Sequence, residues 1–594
     1  MINNRILKLR ELMSENHVDM YYIPTSDYHN SEYVGDYFQT RKFMSGFTGS
    51  AGVMIVTKKS AYLWSDGRYY IQAQEQIKGS EIIFMKQGEE GVETPFAFMK
   101  NNLPNQGSIA FDGRTITTNM GKLLKQLTDN KGGQLMVDVD YVAQIWKERP
   151  SLTVNPAFLL DKAYVGELVD SKLEKVRLKM QEKKVDYHLL TSLDDIAYLL
   201  NIRGNDILST PVILSYLIIG NDSCVFYCDE QKLSKDIKKY LNHNGISVKA
   251  YADVYKDVTT LQGTVWLDPE IVNYTLFEKV SKTMDVYEKE NPSIMMKAIK
   301  NNTEIENLRI AHIKDGVAVT KFMYWLKNNI GKTKIDEVFA DCTLTTFRKE
   351  QSEFLEPSFD TICAYNANAA MMHYHATDDN KDELKAEGLL LVDSGGQYKN
   401  GTTDITRTFA CGDMNPIWKR DFTLVLKGMA ALSRAKFLEG CTGINLDILA
   451  RQPLWNVGVD YRCGTGHGVG FVLGVHEGPH GIRWRKMMNR KEDTSLCAGM
   501  VVTNEPGVYQ EGSHGIRIEN ELVVKKDIQN EYGQFMSFET ITFAPIDLDM
   551  INEEYLDEET RIWLNAYHKE VFQKISPFLC DEEKDWLKTY TRAI

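Results

Sequence analysis

The sequence predicts two tandem α/β domains followed by an α+β domain that carries the chemistry. Three observations lead there. A helix–strand–turn pattern near the N-terminus recurs 167 residues later. From about residue 355 to 545 the chain turns to many short strands with glycine-rich turns and few helices. Within that stretch, five side chains of metal-binding type sit at strands or strand ends: Asp393, Asp404, His467, Glu505 and Glu519.

The repeat comes first. Residues 4–27, NRILKLRELMSENHVDMYYIPTSD, resemble residues 171–194, SKLEKVRLKMQEKKVDYHLLTSLD. At the constant offset Arg10 matches Arg177, Met13 matches Met180, and Val18-Asp19 matches Val185-Asp186. Thr25-Ser26 matches Thr191-Ser192 once the second strand is shortened by one residue. Each copy reads as an amphipathic helix, a short apolar strand and a polar turn. The offset is too long for a solenoid, so two homologous domains in tandem explain it better. The first is expected over residues 1–155, with strand-like GVMIVT and SAYLWSDGRYY. The second is expected over 156–292, with PVILSYLIIG and DSCVFYC. Glu148-Arg149-Pro150 and the following SLTVNP read as the connection.

The third domain is expected over residues 293–545. It opens with a long helical pattern, MMKAIKNNTEIENLRIAHIKDGVAVTKFMYWL, whose main part would start at a capping box of Thr303 and Glu306. The main helical exception among the strands follows Pro416. Residues 546–594 read as a helical extension, with Trp563, Leu564 and Tyr567 as an apolar stripe. Packing onto the preceding domain is the expected use of that stripe, and a dimer contact is the alternative.

The 594 residues carry a net charge of -13, which argues against a nucleic-acid partner. Nine cysteines, scattered and without a CxxC pair, read as reduced thiols of a cytoplasmic protein. The N-terminus lacks the continuous apolar core of a signal peptide. No window approaches the roughly 18 apolar residues of a membrane span.

None of the five metal-type residues is informative alone. An aspartate ending an apolar strand is often only a turn former. Together they stand in LLLVDSGGQY, TTDITRTFA, GTGHGVGF, VVTNEPGVY and GIRIENELVV. Eleven residues separate the aspartates, thirty-eight separate His467 from Glu505, and fourteen separate the glutamates. Four carboxylates and one imidazole form a hard, oxygen-rich set. It suits two divalent cations sharing carboxylates better than one tetrahedral zinc. Such a pair activates water for hydrolysis. GTGHGVG is not a dinucleotide fingerprint, because Val469 occupies the last glycine position. Nor are His467 and His476 spaced as an HExxH helix.

The segments VDSGGQY, TTDITRTF, GTGHGVG, VHEGP, TNEPGVY and GIRIEN resemble the dinuclear metallopeptidases of the pita-bread fold. That group includes aminopeptidase P, prolidase and methionine aminopeptidase. Nearly the whole chain resembles the long, three-domain, cytosolic form of aminopeptidase P. FTGSAG (residues 47–52) and DGRYYIQA (residues 66–73) share in the resemblance. It implies a pita-bread catalytic domain behind two creatinase-like domains, and hydrolysis of the N-terminal Xaa-Pro bond. A prolidase restricted to Xaa-Pro dipeptides is the alternative, and a non-enzymatic binding protein on the same fold is a third reading.

The resemblance also implies roles. Asp404 and Glu519 would bridge two metals, Asp393 would complete one, and His467 with Glu505 the other. The metal would be Mn²⁺, and Glu505 would double as general base. His373 and His476 would contact the substrate. Arg68 would reach the active site from the first domain, across a homodimer. Arg517 would orient Glu519 or Asp393 from behind. His375, His480 and His514 receive no role. Cys463 departs from relatives that carry histidine four residues before the metal histidine, and reads as a small buried residue.

Overall fold

In the computed structural model, which describes residues 1–486 and 494–594, the internal repeat is a repeat of structure. The first copy is α1 (Ile2–Glu15) followed by β1 (Met20–Pro24). Strands β2 (Val53–Thr57), β3 (Ala61–Ser65), β4 (Ile82–Lys86), β5 (Ser108–Ala110) and β6 (Gln134–Met136) complete a sheet in the order β4-β3-β2-β1-β5-β6. The second copy is α2 (Val169–Lys183) followed by β7 (Tyr187–Leu190). With β8 (Ser215–Gly220), β9 (Cys224–Cys228), β10 (Ser247–Lys249), β11 (Gly263–Leu267) and β12 (Met284–Glu288) it builds β10-β9-β8-β7-β11-β12. The two sheets correspond strand for strand. In each, the strand of the repeat is antiparallel to one neighbour and parallel to the other.

The matched residues perform matched tasks. Arg10 Nε donates to the Thr57 carbonyl at the end of β2 (3.0 Å), and Arg177 Nε to the Gly220 carbonyl at the end of β8 (3.1 Å). The Asp19 carboxylate accepts from Ser108 N and that of Asp186 from Thr264 N, both at 2.8 Å. Met13, Val18, Met180 and Val185 are all buried. Each bond ties the repeated helix–strand corner to the next strand of its sheet. One expectation needs correction. The strand in SAYLWSDGRYY stops at Ser65, because Asp66 caps a helical turn, its side chain accepting from Arg68 N (3.1 Å). Residues 1–159 and 167–293 form one compact unit, and residues 160–166 and 294–594 the other.

The second unit opens with α3 (Asn302–Asn329). Its cap is Asn301 and not Thr303. Asn301 Oδ1 accepts from Glu304 N (3.1 Å) and Glu304 Oε2 accepts from Asn301 N (3.0 Å), so the capping box lies two residues earlier than the sequence implied. Helices α4 (Glu337–Lys349), α5 (Pro416–Ser433) and α6 (Gly443–Trp455) follow. The sequence reading captured α5 but not α6, whose glycine start and internal Pro453 weaken its helical signal.

Around these helices run antiparallel strands. β13 (Ile362–Tyr365), β14 (Leu389–Ser394) and β15 (Ile405–Ala410) form one sheet with β14 central. A larger sheet takes β16 (Lys436–Leu438), β17 (Gly466–Gly468), β18 (Glu477–Ile482) and β19 (Val501–Asn504). The hairpin β20 (Gly507–Gln510) and β21 (His514–Arg517) intervenes before β22 (Asn520–Asn530) and β23 (Gly533–Thr540). The larger sheet has the order β16-β23-β22-β19-β17-β18.

The C-terminal extension packs on this unit. In α7 (Glu558–Ile575) and α8 (Asp581–Tyr590), Leu564, Tyr567, Val571, Ile575 and Leu587 join a core with Leu389, Leu391, Phe422, Ile516 and Ile518. Trp563 stacks on Tyr567, with ring centroids 5.2 Å apart. Among the described residues, no helix is long and apolar enough to cross a membrane.

Candidate active site

Strand pairing brings distant carboxylates together. Asp393, near the end of β14, lies opposite Thr406 of β15, and Asp404 immediately precedes β15. Thr406 also joins the next element: its carbonyl accepts from Glu519 N (3.1 Å) and its hydroxyl donates to Glu519 Oε2 (2.7 Å). Arg407 Nη1 holds the Glu519 carbonyl (2.6 Å), while its Nη2 donates to Tyr567 Oη (2.8 Å). The C-terminal extension therefore supports the backbone of Glu519.

His467 and Glu505 come from β17 and the end of β19. Gly466 is required between them: a Cβ there would stand 1.9 Å from the Thr503 carbonyl oxygen. The Thr503 hydroxyl accepts from His467 N (3.0 Å) and donates to Glu505 Oε1 (3.1 Å). Glu505 N donates to the Thr465 carbonyl (2.8 Å). One threonine thus sets both side chains.

The result is a concentrated anionic site. Ligand atoms of Asp404, His467 and Glu519 all lie within 4.8 Å of one another. His467 Nε2 is 3.5 Å from Asp404 Oδ2 and 3.4 Å from Glu505 Oε1. Asp393 Oδ2 meets Arg517 Nη2 at 2.5 Å, while its Oδ1 is buried without a hydrogen-bond partner. Burial first, then neighbouring carboxylates, holds Asp404 and Glu519 well above the ordinary carboxylate range. Arg517, also bonded to Thr406 and Tyr509, is the one guanidinium bonded to these carboxylates among the described contacts.

The remaining predicted residues divide. His476 packs edge-on against His467, with ring centroids 4.3 Å apart. His373 is half-buried in the turn that follows β13. Arg68 belongs to the N-terminal unit, where its guanidinium grips Asp66 through two 2.8 Å bonds. His375 is exposed. His480 is buried against the Val501 carbonyl (2.7 Å), and burial pulls its pKa down to about 4. His514 pairs with Asp421 (3.1 Å) and stacks on Trp418. Cys463 is a protonated thiol, pushed up to about 12 chiefly by burial, with its carbonyl held by Arg451 Nη2 (2.7 Å).

Sequence reasoning missed Glu521. Its Oε1 accepts from Asp404 N (2.7 Å) and its Oε2 lies 3.2 Å from His312 Nε2, with both side chains buried. Strand alternation was the available signal, since residues 519 and 521 share a face.

Profiles of known families cover almost all of the chain. The Metallopeptidase family M24 matches residues 306–526, and the C-terminal region of that peptidase family matches 534–594. Creatinase/Prolidase N-terminal domains match residues 5–145 and 148–304. A probable Xaa-Pro aminopeptidase P of Paracoccidioides brasiliensis is 37% identical over 100% of this chain and 99% of its own length. The chain belongs to the Xaa-Pro aminopeptidase P family of M24 metallopeptidases. Aminopeptidase P1 of Arabidopsis thaliana is 35% identical over 99% of this chain and 98% of its own. Among solved structures, an X-prolyl aminopeptidase from Caenorhabditis elegans, described as a cytosolic enzyme with a di-nuclear active site, superposes with a TM-score of 0.94. It is 32% identical and covers both chains completely.

As a member of the aminopeptidase P family the chain is a hydrolase with a site for two divalent metal ions. The residues present fit such a pair. Four carboxylates crowd around one guanidinium and one imidazole, and buried like charges need compensation. Once ionised, the four carboxylates and Arg517 carry a formal charge of -3, which a single divalent ion leaves partly uncompensated and a second ion more than offsets. The buried Asp393 Oδ1 has no hydrogen-bond partner, which leaves its lone pairs available to a cation.

Proposed function

We propose that this chain is a metal-dependent aminopeptidase that releases the first residue from peptides with proline in second position. The observation that carries this reading is the convergence of Asp404, His467 and Glu519 within 4.8 Å, in a chain matched end to end by Xaa-Pro aminopeptidases. We assign the holding of the two ions to these residues: Asp404 and Glu519 would serve both ions, Asp393 would complete one, and His467 with Glu505 would complete the other. Mn²⁺ suits a set of four carboxylates and one imidazole. Bound there, the ions would supply Lewis acidity and lower the pKa of a water.

The protein's own groups do the rest. Glu505 has the most open carboxylate of the set, with a side chain 20% exposed against 6% for Asp404. It takes the proton of the attacking water as general base and returns it to the leaving nitrogen. That return matters because a proline nitrogen in a peptide bond carries no hydrogen. His476, fixed against His467, and His373 donate to the scissile carbonyl oxygen as it gains charge. Arg517 orients Asp393 through its bond to Oδ2. Arg68 is assigned to substrate binding, across a homodimer, on the resemblance alone. We keep the division into segments 1–155, 156–292, 293–545 and 546–594, supported by the matching strand orders of the first two. Cytosolic residence is supported by nine unpaired cysteines.

The test incubates metal-stripped protein, with and without Mn²⁺, with Arg-Pro-Pro and with Ala-Pro, and follows products by mass spectrometry. Metal-dependent release of arginine from the tripeptide is expected. Cleavage of the dipeptide alone would make the chain a prolidase, and failure to bind metal would favour a non-enzymatic role.

A further inference from the structure

Glu337, the first residue of α4, is completely buried, yet lies outside the metal-type cluster. Its carboxylate accepts four hydrogen bonds, all from residues 365–382. Oε1 takes Tyr365 N (2.6 Å) and Asn368 Nδ2 (3.0 Å). Oε2 takes Tyr374 Oη (2.8 Å) and Asp382 N (2.9 Å). A buried carboxylate is tolerable only when its lone pairs are filled, and charge-assisted bonds of this kind are the stronger sort. These four therefore organise the segment that supplies them.

That segment carries His373. Met371 N donates to the Asn368 carbonyl and Tyr374 N to the Met371 carbonyl, both at 3.0 Å, so His373 sits inside a turn. Asn368 and Tyr374, which bracket it, both bond to Glu337, and Asn368 Nδ2 also donates to Tyr374 Oη (3.2 Å). On its other side the segment presses on β21. A Cβ on Gly515 would lie 1.7 Å from the Ala369 carbonyl oxygen, two residues before Arg517. The turn is held between a buried anion and the strand that carries the partner of Asp393.

We infer that Glu337, acting through Tyr374 and Asn368, is the positioning residue that sets the His373 imidazole against the substrate. The inference rests on the reading of His373 as a substrate contact. It extends the active site to a helix that supplies none of the metal-type residues.

The test is a double-mutant cycle on the Mn²⁺-loaded full chain, with Arg-Pro-Pro as substrate. His373→Ala is expected to lower kcat about 100-fold, as loss of a carbonyl-oxygen donor does. Tyr374→Phe removes one bond to Glu337 without altering shape, and Glu337→Gln removes the charge. Each is expected to lower kcat about tenfold with KM little changed, because a small misplacement of a catalytic group costs rate. In the His373→Ala background both losses should vanish. The Co²⁺ absorption of the Tyr374→Phe protein should match the parent. If Glu337→Gln does not fold, Tyr374→Phe decides alone. A loss that persists undiminished without His373, or no loss at all, overturns the positioning role. A His373→Ala protein with parental kcat overturns the reading of His373 itself, and the inference falls with it.

Discussion

Gly466→Ala tests the reasoning most directly, because its cost can be worked from one distance. The new Cβ would lie 1.9 Å from the Thr503 carbonyl oxygen, and real Cβ atoms essentially never approach closer than 3.0 Å. β17 and β19 must therefore part by about 1 Å, since a packed interior has no slack to absorb the overlap. Two hydrogen bonds flank the point of contact: His467 N to the Thr503 hydroxyl and Glu505 N to the Thr465 carbonyl. Weakening both removes about 2 kcal/mol of stability at roughly 1 kcal/mol each. The displaced groups are His467 and Glu505, and a shift of about 1 Å at catalytic groups costs about 100-fold in rate. Gly464→Ala is the control, because its Cβ would meet only ordinary contacts, the nearest at 3.4 Å. The assays are urea unfolding, Co²⁺ absorption and kcat on Arg-Pro-Pro. A Gly466→Ala protein that matches the control in all three would refute the geometric account.

Other perturbations give equally definite expectations. Arg517→Met strands the buried Asp393 carboxylate and should cost about 3–5 kcal/mol in the metal-free protein, with the deficit shrinking when Mn²⁺ is added; an equal deficit in both states, by urea unfolding, would count against it. Glu521→Gln keeps an acceptor for Asp404 N but removes a charge, so calorimetry should show Mn²⁺ binding weakened about tenfold, and unchanged affinity would remove Glu521 from the site. Acid should destabilise the fold through neutral, buried histidines. His188 and His480 are held down to about 4 and His568 to about 3, chiefly by burial, and His568 Nε2 accepts from Ile546 N (3.1 Å). The unfolded chain binds these protons below about pH 6.5 while the folded chain refuses them, so stability is full above that pH and falls towards pH 4. Between pH 7 and 5 each such histidine should cost about 2 kcal/mol, and His568→Gln should remove one share of the loss in urea midpoints; a pH dependence identical to the parent's would show that His568 does not titrate this way.

Much of this architecture was legible because local signals agreed with the global result. The repeat could be read because the same residues close the same corner twice, Arg10 and Arg177 on strand-end carbonyls and Asp19 and Asp186 on the next strand. The metal-type residues could be read because each lies in or next to a short strand, and His467 stands beside a glycine required for a steric reason. What escaped was set by tertiary context. Asn301 outcompeted Thr303 as a cap because its own side chain also donates to the Val165 carbonyl (2.8 Å). Helix α6 forms despite Pro453, helped by Leu446, Ala450 and Leu454, which are buried. Glu521 had only its strand alternation with Glu519 as a signal, and Glu337 had none, since a sequence does not mark which carboxylate will be sealed among donors.

The metal-type residues of the C-terminal unit span positions 393 to 519, and the helix that steadies Glu519 through Arg407 lies later still. A ribosome-bound chain therefore has no complete site to fill until the helix that carries Tyr567 has been made. Chains cut before the last helices would lose the Tyr567 hydroxyl that bonds Arg407, and with it part of the support of the Glu519 carbonyl.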